Sequence, residues 1–137
     1  MSIEKSAEGY TIRADKIFSQ REFDLFAKIS GDNNPIHVDP EFSAKAKFGR
    51  TVSHGMLLYT VIWGHIQRYF PKSIQLSQFL MFPAATYTDE AMEIELSATP
   101  SSKPNQLEIK GVMRRKADQV VTCESVSTIE YTGALPC

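Results

Sequence analysis

The chain has 137 residues, 42% hydrophobic and 23% charged, with a net charge of −1. That length predicts one domain around one core, and the near-neutral charge argues against a nucleic-acid binder or a chain drawn electrostatically to a membrane. Cys123 and Cys137 lie apart without metal-ligand spacing, which predicts reducing surroundings and no disulfide framework. The stretch Met1 to Tyr10 lacks the apolar segment of a secretory signal, and the longest apolar run, Met56 to Trp63, is too short to span a bilayer. The expected location is the cytoplasm, and an organellar matrix fits the same observations.

Residues 1–9 read as a loose start. Tyr10 to Phe18 alternates and predicts a strand. Ser19-Gln20-Arg21-Glu22 is a capping box, and Phe23, Phe26, Ala27 and Ile29 follow at helical spacing, so a helix is expected over Gln20 to Ser30. Gly31 ends it. Asp32 to His37 is expected as loop, because Asn34-Pro35 disfavours helix continuation. Asp39-Pro40 predicts a second short helix carrying Phe42, Ala46 and Phe48, closed by Gly49.

Residues 53–68 leave almost no polar face, the pattern of a fully buried helix. Phe70-Pro71 breaks it. Four strands are expected after it: Ser73–Phe82, Ala91–Ala98, Gln106–Arg115 and Gln119–Tyr131. Turns fall at Thr88-Asp89-Glu90, Pro100 to Asn105 and Ala117-Asp118, and the tail after Thr132 is expected to fray. In a chain this small, only strands can wrap the buried helix. The prediction is therefore a single α+β domain over residues 1–137, a curved antiparallel sheet around a central helix, as in the hot-dog architecture. An open sheet leaves an edge, which predicts pairing with a second copy.

Two stretches carry candidate chemistry. Asp32 and His37 place a carboxylate and an imidazole five residues apart across the Asn34-Pro35 turn, a pair able to hold and deprotonate a water. The plain alternative is that Asp32 caps a turn and His37 packs at the core rim. In Ser53-His54-Gly55-Met56, the Gly55 amide falls in the first turn of the buried helix. There it has no intrahelical acceptor and can face an oxyanion, and no Cβ blocks a substrate carbonyl. Gly55 would equally serve close helix-to-sheet packing. Lys45, Lys47 and Arg50 cluster just before this element, either as phosphate contacts or as a solvated face. His37 and His54 have no third ligand at suitable spacing, so no metal is expected. His65 reads as a core or rim group. Phe79, Met81 and Phe82 read as core, with Phe82-Pro83 bordering a substrate tunnel.

The run Phe26-Ala27-Lys28-Ile29-Ser30-Gly31-Asp32-Asn33-Asn34-Pro35-Ile36-His37-Val38-Asp39, then Phe48 and His54-Gly55-Met56-Leu57, closely resembles the MaoC-like, R-specific enoyl-CoA hydratase family. The strong match covers about residues 18–62, and a weaker one continues through Phe79-Leu80-Met81-Phe82-Pro83 to the end. The resemblance implies a hot-dog dimer that reversibly adds water to a trans-2-enoyl thioester. In that case Asp32 and His37 form the catalytic dyad and the Gly55 amide holds the thioester oxygen. Asn34, Ser53, His54, Met56, Trp63 and Phe82 would bind substrate or support the dyad. No cofactor is implied beyond coenzyme A or phosphopantetheine as part of the substrate, and carrier-linked substrates fit as well.

Two departures bear on the substrate. Trp63 stands where family members often carry a small serine near the dyad. In addition, Pro83 to Glu90 lacks the usual glycine of its hairpin. A specialised biosynthetic dehydratase or a cyclase of polyketide type would fit both departures. A non-catalytic partner subunit is the alternative from another class, and the intact Asp32 and His37 count against it.

Overall fold

The structure, a computed structural model, describes residues 1–136; Cys137 lies outside them. The elements in chain order are strands β1 (Ser2–Ser6) and β2 (Gly9–Ile17), helix α1 (Gln20–Ser30), the short helices α2 (Pro35–Val38) and α3 (Pro40–Ala44), and helix α4 (Gly55–Tyr69). Strands β3 (Ile74–Met81), β4 (Ala91–Pro100), β5 (Gln106–Arg115) and β6 (Val121–Glu130) follow. All six strands form one antiparallel sheet in the order β1-β2-β4-β5-β6-β3.

The sheet folds this way because β2, β4 and β5 each turn an apolar face toward α4, while β6 adds Cys123 and Ile129 around two buried serines, Ser125 and Ser127. Ile12 and Ala14 of β2, Met92, Ile94 and Leu96 of β4, Leu107, Ile109 and Met113 of β5, and Ile129 of β6 are all buried. Ile62 and Ile66 of α4 meet them with no exposure. Each such side chain contributes about 1.5–3 kcal/mol on burial, so this layer, rather than any surface ion pair, holds α4 against the sheet. Ser19 accepts from the Glu22 amide while the Glu22 carboxylate accepts from the Ser19 amide, and Gly31 closes α1 at φ 82°. Both ends of α1 are therefore fixed, and the segment bearing Asp32 starts from a defined point.

Several expectations are corrected. The loose start is a strand: β1 pairs residue by residue with β2, Ile3 opposite Ile12. Its sequence has one apolar residue, so a backbone ladder rather than an apolar pattern holds it. Within the expected frayed tail, residues 132–136 return to the domain: the Tyr10 hydroxyl donates to Pro136 O at 2.7 Å and Leu135 packs on the core, while Cys137 lies outside the described residues. Part of the expected 32–37 loop is helical. Asn34 accepts from the Ile36 amide as N-cap and Pro35 takes the first position, so the proline starts a turn of helix instead of forbidding one. The second helix stops at Ala44, and Phe42 and Phe48 stay substantially exposed.

Helix α4 is not buried all round, since Met56, Thr60, Gly64 and Arg68 form an exposed stripe at helical spacing. Phe79 and Met81 are 63% and 47% exposed rather than core. They lie opposite Val126 and Glu124, on the sheet face away from α4, in a strand with no outer neighbour. In the hairpin that lacks the family's glycine, Asp89 takes the left-handed position at φ 60°. Among the described residues, no helix is long and apolar enough to cross a membrane.

Candidate active site

His37 sits at the third position of α2 and is 8% exposed. Its Nδ1 donates to Val52 O at 2.7 Å. That bond leaves Nε2 as the free nitrogen of the neutral ring, and Nε2 faces Asp32 Oδ2 at 3.8 Å. The gap exceeds a hydrogen bond, but one water can sit within hydrogen-bond distance of both atoms. Burial pulls the His37 pKa below the ordinary imidazole value. The Val52 carbonyl and the Asp32 carboxylate oppose that shift, and His54 adds to it.

Residues outside the predicted set hold this ring in place. Gln20 Nε2 donates to His37 O at 2.8 Å, and Gln20 Oε1 accepts from Thr51 Oγ1 at 2.6 Å. The Val52 amide donates to Ile36 O at 3.0 Å, and Val52 bridges Tyr87. Sequence reasoning missed Gln20, Thr51 and Val52. Gln20 looks like any polar residue in a first helical turn, and Val52 acts through a backbone carbonyl that no side chain announces.

Asp32 is a different kind of residue. Its side chain is 56% exposed, and its Oδ1 accepts from the Asn34 amide at 3.4 Å. His54 Nε2 donates to Asp32 O at 2.8 Å. The His54 ring is buried, stacked on His37 with centroids 3.8 Å apart and planes at 24°, and flanked by Phe26 at 5.0 Å.

The fold also corrects the expectation about metal ligands. Asp32, His37 and His54 each offer a ligand atom within 4.8 Å of the others. Each imidazole gives one nitrogen to a backbone carbonyl and keeps the other free, so the third ligand that the sequence spacing did not show is present in space. The arrangement suits proton transfer through water.

Gly55 opens α4, with its amide in the first turn. A Cβ built there would lie 2.8 Å from the Phe82 ring, so the ring fills the space a side chain would need. Gly55, Ser53, His37 and Phe82 line one cleft of about 360 Å³ together with Ile36, Val52 and Leu58. The wall is mostly apolar, and its far side is the 83–86 segment. That segment is pinned where Ser53 N donates to Thr86 O at 2.8 Å.

The remaining predicted residues divide. Asn34 caps α2, and Ser53 Oγ donates to His54 O at 2.9 Å. Met56 and Trp63 do not reach the cleft. They line a separate groove with Tyr59, Thr60, Gln75 and Gln78: Met56 follows Gly55 but points about 100° round the helix, and eight residues of helix carry Trp63 about 12 Å along the axis. Lys45 and Lys47 are exposed, while the Arg50 guanidinium donates to Thr88 O and lies over the Tyr87 ring. His65 is a rim group beside Met1 Sδ, its pKa lowered by burial.

Residues 4–93 match the family described as "MaoC like domain". The chain belongs to this family. Among MaoC-like relatives it is 35% identical over 108 residues to the (R)-specific enoyl-CoA hydratase of Aeromonas caviae, covering 76% of this chain and 81% of that one. It is 35% identical over 79 residues to the mitochondrial 3-hydroxyacyl-[acyl-carrier-protein] dehydratase of Arabidopsis thaliana, covering 58% of this chain and 48% of that one. The solved structure of the A. caviae (R)-hydratase superposes with a TM-score of 0.86 at 24% identity, covering 94% of this chain and 99% of that one. This MaoC-like chain has the hot-dog fold.

Proposed function

We propose that the protein interconverts trans-2-enoyl and (R)-3-hydroxyacyl thioesters by reversible addition of water. The observation that carries the reading is the pair of proton-accepting atoms, Asp32 Oδ2 and His37 Nε2, held 3.8 Å apart, with His37 and Gly55 lining the same cleft. Similarity to an enoyl-CoA hydratase and to a 3-hydroxyacyl dehydratase supports it.

In the hydration direction, the water spans Asp32 and His37 and gives up one proton to the pair as its oxygen bonds to C3. The C2=C3 electrons move toward the thioester oxygen, where the Gly55 N–H offsets the developing charge. The pair returns a proton to C2 and is restored. The net change is H at C2 and OH at C3, and dehydration runs the same steps in reverse. Only water, substrate and side chains take part, and the coenzyme A or phosphopantetheine arm belongs to the substrate. Lys45, Lys47 and Arg50 would meet its phosphates at the surface.

The reading includes a homodimer through β3. This edge strand leaves its outer backbone groups unpaired and exposes Ile74, Leu76, Phe79 and Met81, a surface suited to a second copy. A spectrophotometric panel of enoyl thioesters, varied in chain length and carrier, tests the function. Hydration of at least one member is expected, and a flat panel from a correctly folded dimer would contradict it.

A further inference from the structure

We propose that His54 is a positioning residue: it ties the loop carrying Asp32 to the start of α4, so that carboxylate, imidazole and Gly55 amide keep fixed separations. This rests on the reading of Asp32 and His37 as the proton-transfer pair.

The hydrogen bonds around Asp32 single out His54. The Asp32 amide donates to Ser30 Oγ at 3.1 Å, the Asn34 amide to Asp32 Oδ1 at 3.4 Å and the Ile36 amide to Asn34 Oδ1 at 3.1 Å, all between residues two apart. These bonds shape the loop but do not place it. The bond from His54 Nε2 to Asp32 O spans 22 residues and is the one long-range hydrogen bond that Asp32 makes among the described residues. Asp32, Asn33 and Asn34 are exposed, so packing does not hold them either.

His54 suits the task because its own position is over-determined. It is 3% exposed and lies between the Phe26 and His37 rings. It is also the N-cap residue of α4, directly before Gly55, yet its side chain makes no capping bond. The ring instead reaches back to the Asp32 loop. Among the described residues its buried Nδ1 has no partner, so the hydrogen bond that fixes the ring is the one from Nε2 to Asp32 O. One side chain thus touches the carboxylate loop, stacks on the catalytic imidazole and precedes the oxyanion amide.

Three variants test this. Gln at position 54 can place an amide N–H near the Nε2 site, Asn is too short to reach Asp32 O, and Leu keeps apolar bulk without a donor. For His54→Asn and His54→Leu, kcat on an enoyl thioester is expected to fall at least tenfold with KM within about threefold, since a misplacement on the order of 1 Å costs about a hundredfold. His54→Gln is expected to recover most of the loss. Equal kcat for the Gln and Asn variants, or a Leu variant within twofold of wild type, would overturn the proposal.

Backbone ¹⁵N relaxation of residues 31–34 provides a readout independent of activity. Increased motion confined to this loop in His54→Asn, but not in His54→Gln, is expected, and unchanged motion in the Asn variant would overturn the tether. A wild type without thioester activity would refute the proposed function and leave this second measurement decisive for His54.

Discussion

The two halves of the proton-transfer pair are built in opposite ways. His37 is buried, its ring held by Val52 O and its backbone by Gln20, with a helical turn beneath it. Asp32 stands in an exposed loop on local hydrogen bonds and, among the described residues, a single long-range hydrogen bond. The imidazole is thus part of the fold, whereas the carboxylate is presented by it. Stability and activity should therefore separate at Asp32 and travel together at His37.

The largest combined effect is expected for His37→Ala. The change leaves Val52 O unpaired and a cavity beside the His54 ring, so stability should drop by about 2–3 kcal/mol and enoyl-thioester hydration should disappear. Denaturant unfolding with a parallel assay checks both, and a stable, inactive variant would break the contrast with Asp32.

Gly55→Ala comes next, and it separates two roles for the glycine. Its Cβ would meet the Phe82 ring at 2.8 Å, but that ring is 41% exposed and can move. If packing alone matters, Phe82→Ala should rescue Gly55→Ala. The expected outcome is that the double variant regains stability and still loses at least tenfold in kcat/KM, because the new methyl group blocks approach to the amide. Full recovery of rate would reduce Gly55 to a packing residue.

The smallest effect concerns pH. Burial lowers the His37 pKa in the native state, so the unfolded chain takes up the proton first as pH falls. The corresponding stability is complete above about 6.5 and is lost as pH drops through the lowered native value. His65 shifts in the same direction by burial, so the difference between wild type and His37→Ala isolates the His37 part. The acid limb of kcat/KM should likewise lie below the ordinary imidazole value, and a limb at or above it would contradict the buried setting of His37.

Much of this architecture can be read from residues alone. The Ser19–Glu22 box and Gly31 mark both ends of α1, and the alternation of Met92, Ile94, Leu96 and Ala98, then Leu107, Ile109, Gly111 and Met113, marks β4 and β5. The pattern failed where backbone rather than side chains does the holding. In β1, ladder bonds replace an apolar face, and at Val52 a carbonyl sets the tautomer of His37. Exposure at an edge is likewise invisible to periodicity. Phe79 and Met81 alternate like core residues, yet β3 has a neighbour on one side only. Trp63 resembled a pocket residue by its place in the family pattern, but the helix carries it into another groove.

Asp32→Asn tests the central claim most directly, with unfolding free energy and hydration rate measured on the same preparation. Because Asp32 is exposed and shapes only its own loop, stability should stay within about 0.5 kcal/mol of wild type, while the rate falls by about 10²–10⁴ with the loss of one proton-transfer partner. A folded Asp32→Asn protein that hydrates enoyl thioesters at near wild-type rate would contradict the account.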